Sequence, residues 1–433
     1  MKRALALTFL ALALLAVQPS IAQLPEEQPA LEAIVTRVAS SSDFDVNTIH
    51  VLCGNSTSSG WSNSPVSYSG CPKQTPKLGQ SITIFGTLHR DQNTVEATRL
   101  LQHPEKARGE VSGNAVVDAP PIRNAPGFPA GTIMVRADGY WIVLPFKADL
   151  NVWAPMKSVE EVNANTWIEY DGKLRLDGVV IARGGWLIPN ILTDKEEKRR
   201  TKTHYDPAAA GNQPKQSSIG IAIAGVNLKR VPQWPDAVMQ ARVEKIGESL
   251  IPKYQKELSD TDPAKVAFRF IVVDANWGDF PLSLPDGTVL IPHQGVQRMQ
   301  SDAQLAALLA DAVAILIEKQ SLRMEAALRT YSAKKLAADA AYTTLGVPAI
   351  IAAAWSDEQR RILNREMAQS ARVSLTLMHD AGYDISQAPM AWWLIAAGKK
   401  PLSQTSPPAE TVELYRTLVA VWSHPQPPVT PTK

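Results

Sequence analysis

The chain has 433 residues, 45% of them hydrophobic and 20% charged, with 44 basic against 42 acidic side chains. That length and apolar content suit two or three cores at about 150 residues each. The near balance of charge argues against a nucleic-acid partner, because no basic excess is available to neutralise phosphate.

In chain order the first element is a targeting segment. Lys2 and Arg3 precede the apolar run ALALTFLALALLAV, and Ser20-Ile21-Ala22 puts small residues where a signal peptidase reads. Residues 1–22 are expected to be a secretory signal peptide rather than an anchor, since the apolar run is shorter than the roughly 20 residues a bilayer requires. Cleavage after Ala22 removes two basic residues and leaves the two charges equal in number. A bacterial periplasmic or secreted protein follows, without a stable membrane span once the signal is cleaved. Export bears on the two cysteines, Cys53 and Cys71. They flank the segment GNSTSSGWSNSPVSYSG, lack a Cys-x-x-Cys spacing, and are expected to form a disulfide worth roughly 3 kcal/mol in the loop-entropy account.

From about Leu31 to Pro189 the sequence is a series of short β-rich runs separated by turn residues, which predicts an all-β half. The runs SITIFGTL and TVEATRLL are answered by TWIEYDGKL and GVVIARG. Gly86-x-Leu88 corresponds to Gly172-x-Leu174, and Val95-x-Ala97 to Val180-x-Ala182. Two copies of one small barrel are therefore expected, at residues 23–105 and 106–192, with the boundary near HPEKARGE. Their pattern resembles the OB-like barrels attached to bacterial exported proteins, some of which bind oligosaccharide or nucleic acid. A bare structural module is the expectation here.

Residues 193–234 open with the charged run DKEEKRR and continue Pro/Gly/Ala-rich, which predicts a linker. From Pro235 the chain turns helical, with candidate helices at about Asp236 to Glu257, Asp302 to Tyr331 and onward, Asp357 to Ala381, and Ala409 to Trp422. One strand-like stretch, FRFIVV, makes the domain at 235–425 α+β but mainly helical. The stretch VPAIIAAAW is too short to span a bilayer. The Pro-rich end, 426–433, predicts a disordered tail.

Four features of the second half stand in a fixed order. A helix with Val243-x-x-Ile246-Gly247-x-x-Leu250 leads to the strand and to Leu284-Pro285-Asp286-Gly287. A helix then opens on the capping box Ser301-x-x-Gln304 and runs AQLAALLADAVAILIEKQ, and a last long helix ends in Ala381-Gly382-Tyr383-Asp384. Over about Asp236 to Leu394 this outline resembles the His-Glu-x-x-His zinc metallopeptidases of family forty-eight, which includes the CAAX prenyl proteases and the HtpX-like and BepA-like proteins. In such a site two His at i and i+4 on one helix face and a Glu from a later helix bind zinc, while the Glu beside the first His is the general base.

The resemblance places the first His at Asp311, the base at Ala312, the second His at Ile315, the distal Glu at Gln369 and a following Asp at Ala371. None of the five residue types survives. Ala312 accepts no proton and Ile315 has no lone pair, so neither hydrolysis nor zinc is expected and no cofactor is implied. His293 and His379 have no partner at metal-ligand spacing, while Glu318, Glu366 and Asp380 read as solvated helix charges. Ser301 reads as a cap, Ser370 as a small packing residue, and Trp392, Trp393 and the other tryptophans as core. Asp311 and Gln369 are expected to face each other as carboxylate and amide. The resulting expectation is a catalytically degenerate peptidase-like protein that holds a peptide or envelope-protein partner. The alternative is a zinc-dependent metalloendopeptidase with unconventional ligands.

Overall fold

The computed structural model describes residues 29–53, 74–103, 109–202, 205–206, 231–323, 357–400 and 408–427, apart from positions 48, 78–79, 90–91, 93, 146–148 and 276. The signal segment, Cys71, VPAIIAAAW and most of the linker and tail lie outside the described residues. Among the described residues no helix is long and apolar enough to cross a membrane.

The first five strands are β1 (Leu31–Val38), β2 (Phe44–Val46), β3 (Ile49–Cys53), β4 (Ser81–His89) and β5 (Thr94–Gln102). They close into a barrel in the order β1-β2-β3-β5-β4. Val35, Phe44, Val46, Val51, Ile84 and Val95 fill it and are fully buried. Residue alternation along each strand is what sends them inward.

The next seven strands are β6 (Glu110–Val116), β7 (Ile122–Arg123), β8 (Ile133–Ala137), β9 (Tyr140–Leu144), β10 (Asp149–Val152), β11 (Thr166–Leu174) and β12 (Val179–Pro189). The sheet order is β6-β11-β12-β9-β8-β7, with β10 on β12. The two hairpins that carry the Gly-x-Leu and Val-x-Ala pairs share one register. Gly86 pairs with Ala97 and Leu88 with Val95, just as Gly172 pairs with Ala182 and Leu174 with Val180. In both hairpins the register slips by one residue immediately before the glycine. Both also receive a parallel neighbour at the matched valine, Val51 at Val95 and Ile142 at Val180. The second copy differs in closure. Whereas β1 pairs with β2, β6 reaches β8 only through a bridge from Val117 to Ala137, so the sheet keeps an open seam.

The helical part comprises α1 (Asp194–Lys202), α2 (Ala237–Leu250), α3 (Lys253–Glu257), α4 (His293–Arg298), α5 (Asp302–Ile317), α6 (Asp357–Asp380), α7 (Ala388–Ala397) and α8 (Ala409–Thr417), the last continued by a π-helical turn to Trp422. A small sheet, β13 (Arg269–Val273), β14 (Leu282–Ser283) and β15 (Thr288–Pro292), lies beside them with β15 central. Two boundaries differ from expectation. α1 occupies the start of the expected linker, opened by Thr193, whose hydroxyl accepts from the Glu196 amide at 3.3 Å. The helix expected to run through Tyr331 ends at Ile317, and Lys319 takes a positive φ of 52°.

α5 is apolar around its whole circumference and is buried on nearly every side, as such a helix must be. It packs against α6, α2 and α7 at the centre of the helical core. Local chemistry accounts for the conspicuous motifs around it. Ser301 caps α5 by accepting from the Gln304 amide at 3.2 Å. Leu284-Pro285-Asp286-Gly287 is the tight turn joining β14 to β15, with Gly287 donating to the Leu284 carbonyl at 3.0 Å. Gly382, at φ 80°, ends α6 in the left-handed conformation, and Tyr383 donates to the Met378 carbonyl at 2.9 Å.

Candidate functional site

α5 and α6 pack side by side and bring Asp311 near Ser370. Burial pushes the Asp311 carboxyl up to about 7, the Ser370 hydroxyl bond holds it down in part, and the Glu410 carboxylate on α8 adds to the rise. The Ser370 hydroxyl also donates to the Met367 carbonyl at 3.1 Å. With one proton to give, it serves as acceptor when Asp311 is protonated. Ala312 and Ala371 are buried in the helical core, and the Ala312 carbonyl accepts from the Ser283 hydroxyl at 2.9 Å.

Ile315 is only partly buried and lies outside the helical core cluster. One expectation needs correction. Gln369 does not pair with Asp311. Its amide donates to the Asn114 carbonyl at 2.7 Å and approaches Glu318 at 3.5 Å, while its oxygen accepts from Gln320 at 3.0 Å. A primary amide offers two donors and one oxygen, so Gln369 has little left for another partner.

Gln369 and Glu318 act on the open seam of the second β module. The Val116 amide donates to the Glu318 carboxylate at 3.1 Å, two residues from the carbonyl that Gln369 holds. Asn114 and Val116 share one edge of β6, opposite the edge that pairs with β11. At the next position on that edge the Asp118 amide donates to the Arg136 carbonyl of β8. The helices therefore satisfy backbone groups that β8 would satisfy in a closed barrel.

Charged groups extend the same contact. Arg136, almost fully buried, pairs with Asp118 at 2.6 Å and with Asp380 of α6 at 2.5 Å. Arg372 of α6 pairs with Asp138 at 2.5 Å, and Asp138 also accepts from the Tyr170 hydroxyl at 2.7 Å. Glu318 is completely buried. Burial holds its carboxyl well above the ordinary range, with Arg323 opposing. Arg323 stacks on the Trp167 ring at 3.1 Å. Glu318 is thus not a solvated helix charge, whereas Asp380 stays exposed although it is ion-paired. Glu366 is partly buried and its carboxyl is raised by that burial, and Asp380 is tied to Arg136. For Glu318 and Asp380 the partners come from β strands far away in sequence, which no helical periodicity reveals.

The remaining residues take structural roles. His293 stacks on Trp234 with ring centroids 3.7 Å apart, and His379 lies against Trp422 at 4.6 Å. Trp393 is core, whereas Trp153 and Trp186 are exposed, contrary to the expectation for the tryptophans. Among the described residues no group of three or more His, Cys, Asp or Glu could hold a metal ion. The donor set matched to zinc does not fit it: one carboxylate, an alanine, an isoleucine, and an amide already committed to β6. Neither Asp311 nor Gln369 lines the groove of about 470 Å³ on the second β module or the cleft of about 250 Å³ beside Trp422. No protein-family model matches the chain, and no curated protein matches it significantly.

Proposed function

We propose that the chain is an exported, non-catalytic protein with metallopeptidase-like helices and OB-like β modules, in which the former site serves as a dock for the chain's own second module. The role is scaffolding: the helical part holds the β modules in a fixed orientation for a peptide or protein partner of the cell envelope. One observation carries this reading, the pair of bonds from Gln369 and Glu318 to the β6 backbone. A residue matched to a metal ligand is occupied by an internal strand, and a peptide laid there would meet β6.

The test uses the purified mature chain. Metal analysis is expected to find no stoichiometric zinc, and Gln369→Ala is expected to raise amide exchange along β6 at a cost of about 1–3 kcal/mol, the usual penalty for a buried group left unpaired. Tightly bound zinc together with peptide hydrolysis abolished by Asp311→Ala would overturn the proposal.

A further inference from the structure

The outer face of the second β sheet is divided in two. At one end Val116, Trp167 and Ile188 pack beneath Tyr254 and Leu258 of the helical part. At the other end the same face opens into the groove of about 470 Å³. That volume falls within the range of small-ligand sites.

The groove is built in register. Asn151 on β10 stands opposite Trp186 on β12, Trp186 opposite Glu169 on β11, and Glu169 opposite Asn114 on β6. One step along, Gly184, Asp171 and Ser112 form a second row, and the glycine leaves the floor flat beside the indole. Trp186 is 40% exposed although no packing demands its exposure, and Trp153 braces it edge-on at 6.0 Å. Arg365 of α6 closes the β6 end and donates to the Asn114 side-chain oxygen at 3.2 Å, which leaves the Asn114 amino group to donate into the groove.

We infer that this groove binds a neutral oligosaccharide, one sugar ring stacked on Trp186 and its hydroxyls shared among Glu169, Asp171, Asn114 and Asn151. The apolar face of a pyranose matches an exposed indole, and neighbouring hydroxyls match carboxylate and amide groups that accept and donate in alternation. Phosphate-bearing chains find no positive excess, since Glu169 and Asp171 stand against Arg365 and against Arg183, which pairs with Asp171 at 3.2 Å. An extended peptide finds no edge at β6 between Asn114 and Val116, because Gln369 and Glu318 already hold it. The assignment is independent of any peptidase ancestry.

Calorimetric titration of the mature chain with two neutral probes, chitotetraose and cellotetraose, tests it. Saturable binding of at least one is expected, unaffected by added salt, with Trp186→Ala weakening it about tenfold or more. Glu169→Gln should weaken it several-fold. Trp186→Phe, which keeps an aromatic face, should retain part of the affinity and serves as the folded control should the alanine variant be unstable. No binding of either probe, or binding that survives Trp186→Ala and Glu169→Gln unchanged, overturns the inference.

Discussion

Asp311 has a folded-state carboxyl pushed up to about 7 by burial, against 3.8 for the ordinary group. The folded chain therefore binds this proton more tightly than the unfolded chain. Its contribution to stability is complete below about pH 4 and is lost as pH rises through about 7, at up to ~1.4 kcal/mol per pH unit. Asp311→Asn, which keeps the shape and removes the titration, should gain stability relative to the parent across that window and hold a constant advantage above it. Urea melts of both proteins at a series of pH values measure this. A difference that stays flat from about pH 4 to 8 would mean that Asp311 is not buried in solution. That positions 311, 312, 315 and 369 carry neither His nor Glu was legible in the sequence, because it concerns residue identity. The burial of Glu318 was not. It depends on Val116, 202 positions away.

At the scale of elements, the β8–β9 turn shows how closely the two halves meet. Asp138 and Gly139 both take positive φ, 55° and 69°, the pattern of a two-residue hairpin turn. A Cβ on Gly139 would stand 2.5 Å from the Arg372 Cβ and 2.7 Å from its carbonyl carbon, so α6 approaches the turn too closely for any side chain. Gly127 has a similar φ of 81° but open space around it. Gly139→Ala is therefore expected to destabilise the protein by at least about 1 kcal/mol more than Gly127→Ala, since both incur the backbone strain and only the first disturbs docking. Equal losses in thermal melts would place the helix farther from the turn in solution. The repeat of Gly-x-Leu and Val-x-Ala was readable because a bulge needs its glycine at a fixed register. The break of the helix at Ile317 was not, because no glycine or proline marks it.

For the molecule as a whole, the first barrel closes on itself and the second does not. The open seam between β6 and β8 is sealed by Gln369 and Glu318, and the apolar end of the outer sheet face lies under Tyr254 and Leu258. A chain truncated after Lys202 should keep exchange protection in β1 to β5 and lose it along β6, where backbone groups and the Val116 and Trp167 side chains become exposed. Hydrogen exchange followed by mass spectrometry on the two chains makes the comparison. Undiminished protection of β6 in the short chain would show that the second module closes unaided.

The sequence by itself determined the β-rich first half with its internal repeat, the helical second half, the caps and turns at Ser301, Gly287 and Gly382, and the absence of His-Glu-x-x-His residues at the matched positions. These are matters of period, backbone preference and side-chain chemistry, all local to a few residues. The tertiary structure decided that β6 would find its partners on two helices, that Glu318 would be buried, and that Trp186 would stay exposed at the edge of a polar groove. Whether a strand edge is paired, or a charge desolvated, depends on what the rest of the chain brings beside it. Segments more than 200 residues apart supply those contacts here, and no local pattern encodes them.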